Sequence, residues 1–218
     1  YGLTSETADF VIHTSSRGQL RLVSALKRAV TGLSMVDNIA VTILSHEPVP
    51  ASSLLTARLE LAAMSAADVD ALIVGTRCEL WADDFPQGVD EDAALQYFQA
   101  GLLGPRAGTF GARLIRERGG LVIGTIGFLG PPVDGAVEVT YNIVPSRQNL
   151  GFATEALIAL SRFALNQPDV GCVTAYTDEA NEASISLLLT AGFMPVELSG
   201  PALAFVLHSE TQLPDAED

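Results

Sequence analysis

A short polar turn in the middle of the chain has the residue types and neighbours of a phosphate-binding site. It covers residues 148–153 and lies between a strand-like segment ended by Pro145, which cannot donate to a ladder, and an amphipathic segment from Gly151 to about Leu165. A glycine and an alanine leave room for a ligand to approach the backbone. Backbone amides at a helix N-terminus lie at the positive end of the helix dipole. The turn therefore predicts a pyrophosphate site.

A second strand and helix follow this turn and extend the pattern. Cys172–Thr177 alternates like a strand, and Asn181 precedes a segment with apolar residues at helical spacing. Asparagine is a favoured N-cap, and Gly192 stands where a left-handed residue ends many helices. The two segments together predict a strand–helix–strand–helix order.

The two motifs, in this order, resemble the GNAT superfamily of acyl-CoA-dependent N-acyltransferases. Gln148–Ala153 corresponds to a Gln/Arg-x-x-Gly-x-Gly/Ala turn, and Asn181–Phe193 to Asn-x-x-Ser-x-x-x-Leu-x-x-x-Gly-Phe. Gly151–Leu157 is similar to the branch that acetylates the N-termini of ribosomal proteins. The resemblance implies a GNAT fold of the α/β (α+β) class, with a mixed central sheet and flanking helices. It also implies acetyl-CoA as acyl donor.

The resemblance further implies which residues bind coenzyme A. Amides of the turn would bind the pyrophosphate, Thr154 would reach a phosphate oxygen, and Asn181 would contact the pantetheine arm lying along the end of the preceding strand. The residues expected to bind the coenzyme are Ile143, Val144, Gln148, Asn149, Leu150, Gly151, Phe152, Ala153, Thr154 and Asn181. An ordinary strand–helix turn and simple helix capping are the structural alternatives.

Two residues are candidates for the chemistry of amide formation, which needs a deprotonated amine and a stabilised thiolate. Many GNAT proteins have a tyrosine at the position of Leu188. The resemblance implies that Ser184 instead donates a hydrogen bond to the thiolate, although it could serve only as a helix cap. Glu138 is the candidate base, because partial burial would raise its affinity for protons. A solvent-facing glutamate on a half-exposed strand is the alternative.

An acidic and aromatic segment is the candidate acceptor site. In the GNAT family the loop after the first helix helps to wall this site, and carboxylates beside aromatic rings would suit a cationic amine or an N-terminus. The residues concerned are Trp81, Asp83, Asp84 and Phe85. The alternative is a surface loop whose aspartates start a turn and cap a helix.

Composition narrows the partners and the location. The chain has 218 residues, 48% of them apolar, and a formal net charge of −14. An acidic protein repels nucleic acid and anionic membranes, so neither is an expected partner, whereas amines are attracted. The two cysteines and three histidines show no metal-ligand spacing, and no apolar run suits a membrane span. We therefore expect a cytoplasmic protein without a metal.

Four segments are predicted along the chain. Residues 1–46 read as a small β-α-β unit too short to bury both sheet faces alone, and a homodimer through this unit is one of its open roles. Residues 47–54 form a proline-containing linker, 55–209 the acyltransferase domain, and 210–218 an acidic tail. Within the domain we expect a strand over Thr56–Leu61 and helices over Ser65–Val74 and Glu91–Leu102.

These observations predict a GNAT-type N-acetyltransferase. Acetyl would pass from acetyl-CoA to a primary amine, either a protein N-terminus or a small molecule, by direct attack in a ternary complex. No nucleophilic cysteine or serine with an attendant histidine is evident. The alternative is a non-catalytic CoA-binding regulatory or interaction module. Leucine at position 188 favours that alternative, and Ser184 and Glu138 disfavour it.

Overall fold

The computed structural model describes residues 53–103, 109–196 and 202–209, and every structural statement below concerns these ranges. The predicted β-α-β unit at residues 1–46, nearly all of the predicted linker and the acidic tail at 210–218 lie outside the described residues.

Eight strands and four α-helices make up the described part of the chain. In chain order they are β1 (Leu54–Leu55), β2 (Leu59–Ala63), α1 (Ala66–Val74), α2 (Gly88–Gln99), β3 (Ala112–Glu117), β4 (Val122–Phe128), β5 (Ala136–Ile143), α3 (Phe152–Leu165), β6 (Cys172–Asp178), α4 (Glu182–Thr190), β7 (Met194–Val196) and β8 (Ala202–His208). A single 3-10 turn at Pro145–Arg147 follows β5. No helix in the described ranges has both the length and the apolar composition needed to cross a bilayer.

The strands form one mixed sheet in the order β1-β2-β3-β4-β5-β6-β8-β7. Strands β1 to β5 pair antiparallel, β5 and β6 pair parallel, and β6, β8 and β7 pair antiparallel. The predicted α/β class with a mixed central sheet is therefore confirmed.

The parallel pair at the centre of the sheet is incomplete. Strands β5 and β6 are paired from Ala136–Cys172 to Glu138–Thr174, although β5 continues to Ile143. Beyond Glu138 the two strands separate, which opens a cleft in the middle of the sheet.

Helices cover both faces of β5. Side chains alternate between the faces of a strand, so neighbours point in opposite directions. Asn142 bonds Asp90 of α2, whereas Tyr141 bonds Ser184 of α4. Helix α3 packs against β5 and against α4, and its buried residues include Leu157 and Leu160.

Two predicted elements differ from the observed ones. Of the strand expected over Thr56–Leu61, only Leu59–Leu61 is observed as strand, because Thr56 Oγ1 accepts a hydrogen bond from Leu59 N at 2.9 Å and residues 56–58 turn the chain between β1 and β2. Helix α2 begins three residues earlier than expected, because the carboxylate of Asp90 accepts a bond from Gln87 N and caps the first turn. Ser65 caps α1, with Asp68 N donating to Ser65 Oγ at 3.2 Å.

Candidate functional site

The cleft between β5 and β6 contains a cavity of about 560 Å³. Its walls come from β5, the turn before α3, the first turn of α3, β6 and α4. Of the residues predicted to bind a coenzyme, those that line the cavity are Ile143, Gln148, Asn149, Gly151, Phe152, Ala153, Thr154 and Asn181. The structure thus brings most of this set to one surface.

The edge of β5 presents backbone groups to this cavity. Glu138 O accepts from Leu129 N and Val144 N donates to Ile123 O, both at 2.9 Å, so these residues bond toward β4. Alternation along the strand directs the backbone groups of Tyr141 and Ile143 toward β6 instead. Strand β6 no longer pairs there, so these groups face the cleft.

The prediction for Val144 does not fit this geometry. Its N–H is bonded to Ile123 O, its carbonyl accepts from Arg147 N at 3.0 Å, and its side chain is fully buried. Val144 ends the strand and supports the 3-10 turn. The backbone groups beside the cleft belong to Tyr141 and Ile143, and the carbonyl of Ile143 already accepts a hydrogen bond from Gln148 Nε2 at 2.9 Å.

The turn before α3 is curled by two left-handed residues. Asn149 has φ of 61° and Gly151 has φ of 78°, and Gly151 is the N-cap of α3. A left-handed residue between amides makes neighbouring N–H groups converge into an anion-binding concavity, here at a helix N-terminus. Leu150 does not line the cavity, and its side chain is half exposed. Glycine at position 151 is required by the positive φ.

Two hydroxyl groups meet inside the cavity. Ser184, on the first turn of α4, has its Oγ 2.7 Å from Tyr141 Oη, and both residues line the cavity. Burial raises the pKa of Tyr141, although the hydrogen bond between Tyr141 and Ser184 opposes the rise, so the phenol is protonated at neutral pH. Ser184 N also donates to Asn181 Oδ1 at 3.1 Å, which caps the helix. Leu188 is fully buried in the core.

Glu138 lies at the point where β5 and β6 stop pairing, on the face of the sheet that carries α2. It is half-buried and does not line the cavity of the cleft. Burial raises the pKa of this carboxyl. Tyr97 of α2 is close enough for the charge of Glu138 to add to the effect of burial in raising the pKa of its phenol.

A fully buried carboxylate fixes α2 to the sheet near Glu138. Asp90 accepts hydrogen bonds from Thr125 Oγ1 at 2.6 Å, from Asn142 Nδ2 at 2.9 Å and from Gln87 N at 2.9 Å. Burial raises the pKa of Asp90, and these hydrogen bonds oppose the rise. Sequence reasoning missed this residue because it placed the helix start after it.

The structure places the residues of the predicted acceptor site in different surroundings. Trp81 and Phe85 are 4% and 2% exposed, and their rings pack edge to face at 5.0 Å within the core. Asp83 is exposed and pairs with Arg77 at 2.7 Å. None of these residues lines the cavity, because the two aromatic rings serve packing and the carboxylate faces solvent.

Asp84, the fourth predicted acceptor residue, is bound to the 3-10 turn. Its carboxylate accepts from Ser146 N and Ser146 Oγ, both at 2.8 Å. Hydrogen bonds from Ser146 lower the pKa of Asp84 despite some opposing desolvation, so the group is ionised. It connects the loop before α2 to the segment that leads into the turn at the cavity.

The cleft fits the shape and chemistry of coenzyme A. A free strand edge suits the amides of an extended arm, and the converging amides at the N-terminus of α3 suit a pyrophosphate. Within the described residues, no group of three or more His, Cys, Asp or Glu side chains is arranged to hold a metal ion.

Comparison with known proteins gives one family and several similar folds. A model described as an acetyltransferase (GNAT) domain matches residues 58–194. No curated protein matches the chain.

Similar solved structures include an acetyltransferase from Agrobacterium tumefaciens str. C58, with a TM-score of 0.53 and 21% identity over 80% of this chain and 99% of that chain. RimL, a ribosomal L7/L12 alpha-N-protein acetyltransferase in complex with coenzyme A, gives a TM-score of 0.52 and 19% identity over 72% of this chain and 98% of that chain. Mycobacterium smegmatis RimJ in complex with CoA-disulfide gives a TM-score of 0.51 and 19% identity over 72% of this chain and 85% of that chain. At these identities the similarity is one of fold.

Proposed function

Because the chain belongs to the GNAT acetyltransferase family, we propose that it transfers acetyl from acetyl-CoA to a primary amine carried by a cationic acceptor. The family match covers most of the chain and confirms the family predicted from the turn and the Asn181 motif. An N-acetyltransferase that uses acetyl-CoA follows from the family. The acceptor class and the roles of single residues are our additions.

The observation that carries the proposal is the separation of β5 from β6 next to a left-handed turn at a helix N-terminus. The pantetheine arm would lie along β5, with its amides bonded to the backbone of Tyr141 and Ile143. The pyrophosphate would lie on the amides around Gly151, with Thr154 beside it in the first turn of α3. Asn181, on the opposite wall, has an amide nitrogen left to contact the arm, since its Oδ1 caps α4.

The reaction needs one proton removed and one supplied. The amine nitrogen attacks the thioester carbonyl, the carbon–sulfur bond breaks, and the products are the amide and the CoA thiol. Ser184 would donate a hydrogen bond to the sulfur as negative charge develops there. Because one hydroxyl hydrogen cannot serve two acceptors, Tyr141 must then donate to Ser184 Oγ, which makes Tyr141 a positioning residue.

Glu138 is proposed as the base. A carboxyl whose pKa is raised by burial accepts a proton closer to neutral pH, which suits general-base catalysis. Its position at the start of the cleft, on the α2 face, would place the amine on the side of the sheet opposite Ser184. The acceptor would then approach from the α2 side, and the net charge of −14 would favour a cationic acceptor.

The acceptor class is open between a protein N-terminus and a small polyamine. Similar structures include RimL, named for ribosomal L7/L12, and a spermidine N-acetyltransferase SpeG chimera from Vibrio cholerae with human sequence. Both acceptors are amines that carry positive charge, in agreement with the acidic chain. The hydroxyl pair at Ser184 supplies a thiolate partner despite Leu188, so the geometry favours catalysis over a purely regulatory CoA module.

Calorimetry with acetyl-CoA, followed by thiol release with a panel of amines, tests the proposal. The panel should hold N-terminal peptides, spermidine and an N-blocked peptide without lysine as the negative control. We expect binding with one molecule per chain and thiol release that needs a free amine. Thiol release at an equal rate with the blocked peptide would contradict acetyl transfer to an amine. Failure to bind acetyl-CoA would contradict the proposed coenzyme-binding site.

A further inference from the structure

Arg58, in the connection between β1 and β2, contacts the turn at residues 148–153 from outside the cavity. Its Nη1 donates to Leu150 O at 2.9 Å, and its guanidinium carbon lies 4.6 Å from the centre of the Phe152 ring. A Cβ atom added to Gly151 would lie 3.3 Å from Arg58 Nη2. One side chain therefore contacts Leu150 and Phe152 and lies beside Gly151 between them. Nothing in the sequence pattern marks Arg58 for this place.

Glu155, on the first turn of α3, fixes Arg58 in position. Arg58 Nε donates to Glu155 Oε2 at 2.6 Å, and Arg58 N and Thr56 Oγ1 both donate to Glu155 Oε1. Burial would raise the pKa of Glu155, but the hydrogen bonds from Thr56 and Arg58 outweigh it and lower the pKa. Glu155 is only 4% exposed and is ionised, so the charge-assisted bonds hold the guanidinium rigidly.

The bond to Leu150 O decides which way the next amide points. In a trans peptide the C=O and the following N–H point in opposite directions. Because Leu150 O points at Arg58, the N–H of Gly151 points away from Arg58. Gly151 lines the cavity, so this N–H is directed to the cavity side. A rotated peptide would instead present a carbonyl dipole to the phosphates and repel them.

We infer that Arg58, held by Glu155, is a positioning residue for the coenzyme, fixing the Leu150–Gly151 peptide with its N–H toward the phosphates. This inference rests on the proposed coenzyme-binding site. The positive charge of Arg58 is balanced by Glu155, so its contribution is the geometry of the guanidinium fork rather than attraction at a distance. Lysine, which cannot bond Glu155 and Leu150 O in the same fork geometry, would not replace it.

Two acyl donors separate positioning of the turn from general stability. Acetyl-CoA carries the pyrophosphate, and S-acetylpantetheine lacks it but keeps the thioester and the pantetheine arm. We expect Arg58→Gln to raise KM for acetyl-CoA roughly tenfold to a hundredfold, the range for one hydrogen bond to a charged group. KM for S-acetylpantetheine and kcat with either donor should change by less than about twofold, because neither depends on the turn.

Arg77→Gln is the matched control. The side chains of Arg77 and Arg58 are 52% and 49% exposed, and each pairs with one carboxylate, but Arg77 lies away from the cavity. Arg77→Gln should leave KM for both donors unchanged. Arg58→Lys keeps an ion pair for folding and is the second variant, with the same donor-selective rise expected.

Three results would overturn the inference. The first is an unchanged KM for acetyl-CoA in folded Arg58→Gln, and the second is an equal rise of KM for both donors. The third is a wild-type KM for acetyl-CoA in Arg58→Lys, which would mean that positive charge alone suffices. Wild-type protein that binds S-acetylpantetheine but not acetyl-CoA would instead refute the proposed coenzyme-binding site, and the inference with it.

Discussion

The two hydroxyls in the cleft allow a double-mutant cycle on the departing thiolate. Ser184 Oγ and Tyr141 Oη are 2.7 Å apart, and Ser184 is the proposed contact to sulfur. If Tyr141 acts only through Ser184, the effect of Tyr141→Phe must disappear once Ser184 is alanine. The relevant variants are Ser184→Ala, Tyr141→Phe and the double mutant.

The structure sets the expected magnitudes. Removing one hydrogen-bond donor from a developing anion lowers kcat by about 10²-fold to 10³-fold in acyl-transfer enzymes, and Ser184→Ala is expected near the lower end, because thiolate sulfur is a weaker acceptor than oxygen. A buried hydroxyl–hydroxyl bond contributes about 0.5–1.5 kcal/mol, so Tyr141→Phe should lower kcat by roughly twofold to tenfold. The double mutant should match Ser184→Ala alone.

Stopped-flow detection of free thiol, with acetyl-CoA saturating and the best amine of the panel, measures kcat for each variant. Acetyl-CoA affinity, measured separately by calorimetry, should change little, because neither hydroxyl is part of the proposed phosphate-binding site. If Tyr141→Phe lowers kcat by the same factor with and without Ser184, the two effects are independent. That result would refute the idea that Tyr141 acts through Ser184. An unaffected rate in Ser184→Ala would leave the serine as a helix cap only.

Three further perturbations test the base, the turn and the ion pair behind it. Glu138→Gln should lower kcat by about 10²-fold and remove the acidic limb of the kcat/KM profile. Burial raises the pKa of Glu138 and so shifts this limb toward higher pH. An unchanged profile would exclude Glu138 as base. Gly151→Asp should abolish acetyl-CoA binding. Gly75 has the same φ of 78° but open space around it, so Gly75→Asp should lower only the free energy of unfolding. Equal affinity for acetyl-CoA in both variants would contradict the proposed phosphate-binding site. Glu155→Gln should lower Tm at neutral pH by roughly 4–8 °C, corresponding to about 2 kcal/mol for hydrogen bonds to a charged group. Because folding lowers the pKa of Glu155, its stabilisation is present above the unfolded pKa and is lost as pH falls through the folded pKa, so the two melting curves should converge in acid; a constant difference in Tm would show that the charge is irrelevant.

The local chemistry of the chain made the turn before α3 and the helix starts predictable. Pro145 ends β5, Gly151 begins α3, and Asn181 caps α4, each through an effect confined to neighbouring residues. These short-range signals also gave the order of strands and helices around the cleft. The family motif added the expectation of a mixed sheet, which the strand order confirms.

The partners of the site residues were not predictable, because each pair joins distant parts of the chain. Tyr141 and Ser184 are 43 residues apart, and Arg58 and Glu155 are 97 apart. Hydrophobic periodicity gives the face of an element but not the element that it meets.

The burial of the aromatic residues in the loop before α2 was not predictable for a related reason. Trp81 and Phe85 lie in an irregular segment with acidic neighbours, so they were interpreted as a surface wall for a ligand. A loop that passes over a sheet edge can bury its large rings against the core while its carboxylates stay outside, and only the tertiary structure distinguishes the two cases.

The turn before α3 is held by contacts to earlier parts of the chain as well as by its own sequence. Ser146 is bonded to Asp84 ahead of the turn, and Leu150 is bonded to Arg58 within it. Both anchors form when the protein folds, so the conformational entropy of the turn is lost then and not when the ligand binds. Such a preorganised turn should bind phosphate with little structural change. Loss of the Asp84–Ser146 anchor should therefore weaken acetyl-CoA binding more than it lowers the free energy of unfolding, since this anchor lies at the surface and the core beneath it stays intact.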